Sequence, residues 1–196
     1  MHDSDFENDP ESEPVPLPAD AQPSPAGRPP KPRSSDPKKD RLRVEKHQSP
    51  AGVAWEFIHP RCARKRREDM EEVEEMVAAG EALIAREELV WLLSECPDFL
   101  EAHVHLGLIA LEADDTKLAR GHFGRAYELA LRAIEAAGSP QPLPYALDGN
   151  KPFFEAAKGL VHCLLLTGRK PMAKDICRRV AMLDSTDPLG IARMLA

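Results

Sequence analysis

The sequence predicts an all-α domain built from about three helical hairpins, and three observations predict it. From residue 60 onward apolar residues recur at threes and fours, as in Met70, Val73, Met76 and Val77 and again in Leu89, Leu92 and Leu93; no segment there alternates as a strand does. The segments are broken at regular distances by Gly80, Cys96-Pro97-Asp98, Asp114-Asp115 and Gly168-Arg169. Finally, the chain repeats itself. A slide of 34 residues superimposes Ala85 on Ala119, Leu89 on Phe123 and Leu93 on Tyr127. A slide of 54, one period plus a 20-residue insertion, superimposes Leu106 on Leu160, Ala119 on Ala173 and Phe123 on Cys177.

The elements follow in order. Residues 1–52 read as a disordered tail, because 11 of the 19 prolines lie in the first 50 residues and large apolar side chains are scarce there. The tail is polarised in charge: residues 1–25 carry seven acids and no Lys or Arg, and residues 26–50 carry eight basic residues against three acids. At Trp55 the composition turns globular, with Val53–Ile58 read as an apolar anchor laid against a helix that starts at Pro60. The helical domain spans 53–196, with hairpins at about 60–96, 98–137 and 151–184. Between the second and third hairpins, residues 138–150 hold three prolines in five positions, which bars a helix. Leu143, Tyr145 and Leu147 predict that this insertion folds back onto the array. Asp187-Pro188 reads as the start of a capping helix, 187–195, that covers the last hairpin.

Helix, turn and helix in 34 residues, with a small residue early in the second helix, resembles the tetratricopeptide repeat. The best copy runs from Pro97-Asp-Phe-Leu-Glu-Ala-His-Val-His-Leu-Gly107 through Ala119, Phe123 and Ala126. The resemblance implies a right-handed α-α superhelix in which Leu106 and Gly107 pack the two helices together, Ala119 lets them approach, and Phe123 and Ala126 meet the next hairpin. The Asp187-Pro-Leu-Gly190 ending is similar to that of bacterial tetratricopeptide proteins, and no catalytic activity comes with the likeness.

Composition limits the function. With 26 Lys and Arg against 33 Asp and Glu the net charge is −7, which excludes a generally basic nucleic-acid coat. The longest apolar run, Leu106–Leu111, is far short of a membrane span, and the acidic start Asp3, Asp5, Glu7, Asp9 is unlike an export signal. Cys62, Cys96, Cys163 and Cys177 form no CxxC pair, so the expectation is a reduced, cytoplasmic protein without disulfides.

The inner face of a tetratricopeptide array comes from the first helix of each hairpin. That implies a partner-binding groove lined by Arg67, Met70, Glu74 and Val77, then Glu101, Val104, Leu108 and Glu112, then Glu155, Lys158, His162 and Leu165. The resemblance implies that it holds a peptide or helix of another protein, and the mixed charge favours a basic or amphipathic ligand. The expectation is therefore a non-catalytic interaction adaptor, not an enzyme, with no cofactor and no metal. His103 and His105 are two apart and diverge on a helix, His162 and Cys163 are adjacent, and no CxxC, HExxH or CxxCH occurs. The alternatives are a homo-oligomer built on exposed apolar residues of the C-terminal helix or insertion, a metal site gathered from His103, His122, His162 and Cys163, and nucleic-acid binding by the tail. Within the tail, Gly27–Arg33 resembles half of an AT-hook. The basic run Arg61–Arg67 reads more simply as one partner in i,i+4 pairs: Arg64 with Glu68, Lys65 with Asp69 and Arg67 with Glu71.

Overall fold

A computed structural model describes residues 41–49 and 52–195. Among these, two strands precede seven α-helices: β1 (Arg43–Ser49), β2 (Gly52–Ile58), α1 (Arg61–Lys65), α2 (Arg67–Ala78), α3 (Ala82–Glu95), α4 (Leu100–Glu112), α5 (Thr116–Ala136), α6 (Lys151–Leu166) and α7 (Lys170–Leu183). The chain is mostly helical with a small sheet. α2 packs on α3, α4 on α5 and α6 on α7, and the pairs meet through α3 against α4 and α5 against α6.

The three turns within pairs are closed in the same way. α2, α4 and α6 each end at a residue in the left-handed region, Gly80 (φ 80°), Asp114 (φ 57°) and Gly168 (φ 71°). The next amide reaches back five residues: Glu81 to Met76, Asp115 to Ala110 and Arg169 to Leu164, at 2.9, 2.8 and 2.8 Å. This Schellman closure satisfies carbonyls that a helix end leaves orphaned and reverses the chain within three residues, which forces neighbouring helices antiparallel. Starts are equally local. The Asp115 carboxylate accepts the Leu118 amide at 2.9 Å, and Pro152 and Pro171 occupy the first turns of α6 and α7.

The small residues at equivalent positions, Ala85, Ala119 and Ala173, are fully buried, as are Leu89 and Phe123. The apolar interior falls into two clusters. One gathers Ala63, Met70, Val73, Leu89, Leu92, Phe99 and Leu106 around α1–α4; the other joins Leu42, Val44 and Phe57 to α4–α7. Phe123 sits in the second, wedged between α4 and α6. A Cβ added at either Gly107 or Gly159 would lie 2.6 Å from its ring.

Four expectations are corrected. The fold is not purely helical, and it begins earlier than residue 53. β1 and β2 pair antiparallel from Arg43↔Ile58 to Ser49↔Gly52, so part of the supposed tail is strand and the Val53–Ile58 anchor is its partner. The reason is tertiary. Leu42, Val44 and Phe57 are buried, and Phe57 stands 5.7 Å from the Phe153 ring, within an aromatic group completed by Tyr127, Phe154 and Tyr145. Residues 1–40, including the AT-hook-like segment, lie outside the described residues.

Cys62 and Cys96 form a disulfide. Their separation of 34 residues hides the pairing in the sequence, but a helical hairpin of nearly equal arms returns the chain to its starting point and brings their Cα atoms to 5.7 Å. The thiols of Cys62 and Cys96 are therefore not reduced and give no support to a cytoplasmic location. What stands is that no helix among the described residues is long and apolar enough to cross a membrane. Closing a loop of this length restricts the unfolded chain by about 3–4 kcal/mol. Reduction, or Cys62→Ser with Cys96→Ser, is expected to lower the urea midpoint accordingly. An unchanged midpoint with and without reductant would show that the bond contributes nothing. Cys163 and Cys177 are free and buried.

The last correction concerns the C-terminus. Asp187 does cap the final turn, its carboxylate accepting the Ile191 and Ala192 amides at 2.6 and 3.2 Å. The turn is 3₁₀, Ala192–Leu195, rather than a helix over 187–195. Gly190 and Asp187 in the left-handed region prevent a continuous α-helix there. Ile191 nonetheless plugs the end of the core, 1% exposed.

Candidate functional site

A groove of about 860 Å³ opens along α2, α4 and the start of α6. Buried Met70 and Val104 and half-exposed Leu108 supply its apolar lining, and its polar lining includes Arg67, Glu71, Glu74, Glu101, His105 and Glu155. One end is built by the insertion, the start of α6 and the residue that follows β2. Asp148, Gly149, Lys151 and Pro152 line it together with His59, whose Nε2 is 2.9 Å from the Gly149 carbonyl.

Asn150 fixes that end. It is fully buried, and its side chain accepts the Phe57 amide at 2.9 Å while donating to the Trp55 and Pro144 carbonyls at 3.0 and 2.9 Å. Gly149 donates to the Glu56 carboxylate at 3.1 Å. The other flank of the insertion is tied to α7: the Leu143 amide donates to the Leu183 carbonyl at 2.9 Å, and the Tyr145 amide to Asp184 at 2.8 Å. The insertion thus folds back on the array, with Leu143 fully buried.

Of the residues expected to line a groove, Arg67, Met70, Glu74, Glu101, Val104, Leu108 and Glu155 do so. The exposed Glu112, Lys158 and His162 and the half-buried Val77 and Leu165 lie beyond it, because the lining of α2 stops at Glu74, that of α4 at Leu108 and that of α6 at Glu155. Sequence reasoning missed His59, the insertion residues and His105. His105 had a usable signal, since it lies one helical turn after Glu101 and so shares its face.

The groove crowds negative charge. Asp148 is paired with Lys151 at 2.6 Å and Glu71 with Arg67 at 3.2 Å, whereas Glu74, Glu101 and Glu155 approach one another. Burial raises the pKa of Glu101, helped by the charges of Glu74 and Glu155 and opposed by Arg67. Burial also raises Glu155, against a hydrogen bond from Tyr145 and the charge of Lys151. Burial lowers His105, with Glu74 acting the other way. His105 Nε2 lies 3.6 Å from Glu74 Oε1, beyond hydrogen-bond reach.

Comparison with family models, with curated proteins and with solved structures finds no match to this chain. Function must therefore be argued from the groove itself.

The other histidines and cysteines are arranged differently. His103 and His122 face each other with ring centroids 5.9 Å apart; burial pushes His103 down to about 4 despite its contact with the Pro97 carbonyl. His162 is exposed, whereas Cys163 is buried. In the basic run, Arg66 takes Asp69 at 3.0 Å and stacks 4.3 Å above Trp91, and Arg67 takes Glu71. Cys62, at the start of this run, is held in the disulfide.

Proposed function

We propose that the three helical pairs form a tetratricopeptide-type array, and that the chain is a non-catalytic adaptor whose groove holds a basic, amphipathic segment of a partner protein. The observation that carries this reading is the meeting of Met70, Val104 and Leu108 with the crowded carboxylates Glu74, Glu101 and Glu155 in one open groove. Apolar contacts supply affinity and charges supply register. A Lys or Arg placed among those carboxylates relieves repulsion as well as forming a pair, so it gains more there than on open surface. The array reading is further supported by three turns closed alike at the repeat spacing, and by the buried alanines.

The test is fluorescence anisotropy with a panel of labelled helical peptides that carry an apolar stripe flanked by Lys or Arg, set against the same peptides with Glu in place of the basic residues. Basic peptides are expected to bind, to weaken with salt, and to lose about tenfold or more in affinity with Leu108→Ser or Glu155→Gln. Failure of every basic peptide, or binding indifferent to both substitutions, sinks the reading.

A second reading, homo-oligomerisation, is favoured by the outer face of α3, where Leu83, Ile84, Val90 and Trp91 are exposed at seven-residue intervals. That face differs from the C-terminal helix and insertion expected from the sequence. Light scattering across a concentration series separates the two readings.

A further inference from the structure

We propose that Glu74, Glu101 and His105 form a binding site for one divalent transition-metal ion of the zinc class in the wall of the groove. This goes beyond the adaptor reading and does not depend on it; an ion held by Glu74 and Glu101 would compete with a basic side chain for the same carboxylates, so the peptide test is made on chelator-stripped protein. The set is a mixed oxygen and nitrogen donor group drawn from two helices. Glu101 and His105 are four apart on α4, so their side chains project from one face, one turn above the other. Glu74 comes from α2. One donor atom from each lies within 4.8 Å of the other two. Among the described residues this is the one group of three or more His, Cys, Asp or Glu side chains so arranged.

The geometry fits an ion better than it fits mutual bonding. Three atoms no more than 4.8 Å apart enclose a point within roughly 2.8 Å of all three, and zinc takes nitrogen and carboxylate oxygen at about 2.0–2.2 Å. Rotamer adjustments of less than about 1 Å therefore close the shell. Left to themselves, the imidazole and Glu74 stand at 3.6 Å, too far for a hydrogen bond. Their donor atoms converge on a shared point without satisfying one another. Two carboxylates neutralise a divalent cation, and the imidazole selects a borderline ion over Mg²⁺ or Ca²⁺, which prefer all-oxygen shells. All three side chains line the groove, so the ion has a path from solvent and keeps at least one position open toward it.

The experiment is calorimetric titration of the full chain, stripped with chelator, with Zn²⁺ alone, followed by Co²⁺ titration read by visible absorption. The expected result is one equivalent bound, with a cobalt spectrum free of thiolate charge transfer. Affinity should fall at least about tenfold in His105→Gln and in Glu101→Gln, and should be unchanged in Glu112→Gln, which lies on the same helix outside the cluster. Circular dichroism of each variant verifies that it folds; should His105→Gln fail to fold, Glu74→Gln, at a half-exposed position, takes its place. Absence of stoichiometric binding, or binding that survives loss of His105 or Glu74, overturns the proposal. Because no peptide is present, failure here leaves the adaptor reading standing, and a peptide failure leaves the metal site standing.

Discussion

Alanine at Gly107 or Gly159 destabilises the protein by about 2–3 kcal/mol, opposite in sign to the usual effect of the change. In an ordinary helix interior, Gly to Ala gains up to about 1 kcal/mol. Here the new methyl group would lie 2.6 Å from the Phe123 ring, which is fully buried and so cannot swing aside. One ring fills the space left by two missing side chains on different helices, α4 and α6. Gly121, on α5 with nothing within 4 Å of an added Cβ, is the internal control and should show the ordinary gain. Urea denaturation of the three variants decides the matter. If Gly107→Ala and Gly159→Ala match Gly121→Ala, the wedge is wrongly placed. Phe123→Leu combined with Gly159→Ala should cost less than the sum of the two singly, because the smaller side chain makes room for the methyl.

Asn150→Ala is expected to cost about 2–4 kcal/mol, since it strands one buried and two part-buried backbone groups at once. The Phe57 amide loses its acceptor, and the Trp55 and Pro144 carbonyls lose their donor. Leucine fills the volume but restores none of these bonds, so Asn150→Leu should be no better. The loss is readable in two ways. Thermal melting reports the global cost, and Trp55 in β2 should become more exposed to a fluorescence quencher at temperatures where circular dichroism still shows intact helices. Equal quenching in the wild type and the variant would mean that Asn150 does not hold the strands.

The helical part of the fold was legible because its signals are local. Gly80 and Gly168 stop their helices through backbone conformation, Asp115 starts one through its carboxylate, and apolar residues at threes and fours mark the buried faces. The strands were not legible for the opposite reason. Arg43–Ser49 is a mostly polar segment beside a proline-rich stretch, and its inward side chains are few. What makes it a strand is its pairing with β2, together with the burial of Leu42 and Val44 in the core. Asn150 and the Phe153 ring, about a hundred residues further along the chain, hold β2 in place. The disulfide was hidden likewise, by the separation of its partners along the chain. In the groove, the helical face of α2, α4 and α6 pointed to seven lining residues, but the extent of that lining depends on where the insertion and His59 close the end. His105 stays hidden among the His and Cys spacings because its neighbours in space are two glutamates, one of them on another helix.

The tie between Asn150 and the strands also bears on the order in which the molecule is completed during synthesis. Trp55 leaves the ribosome 95 residues ahead of the side chain that holds it, and at about 5–20 residues per second the gap lasts roughly 5–20 s. A two-stranded ribbon is marginal on its own in water. The first part of the described chain to be made is thus among the last to be locked in place, and Phe57 waits uncovered until α6 emerges.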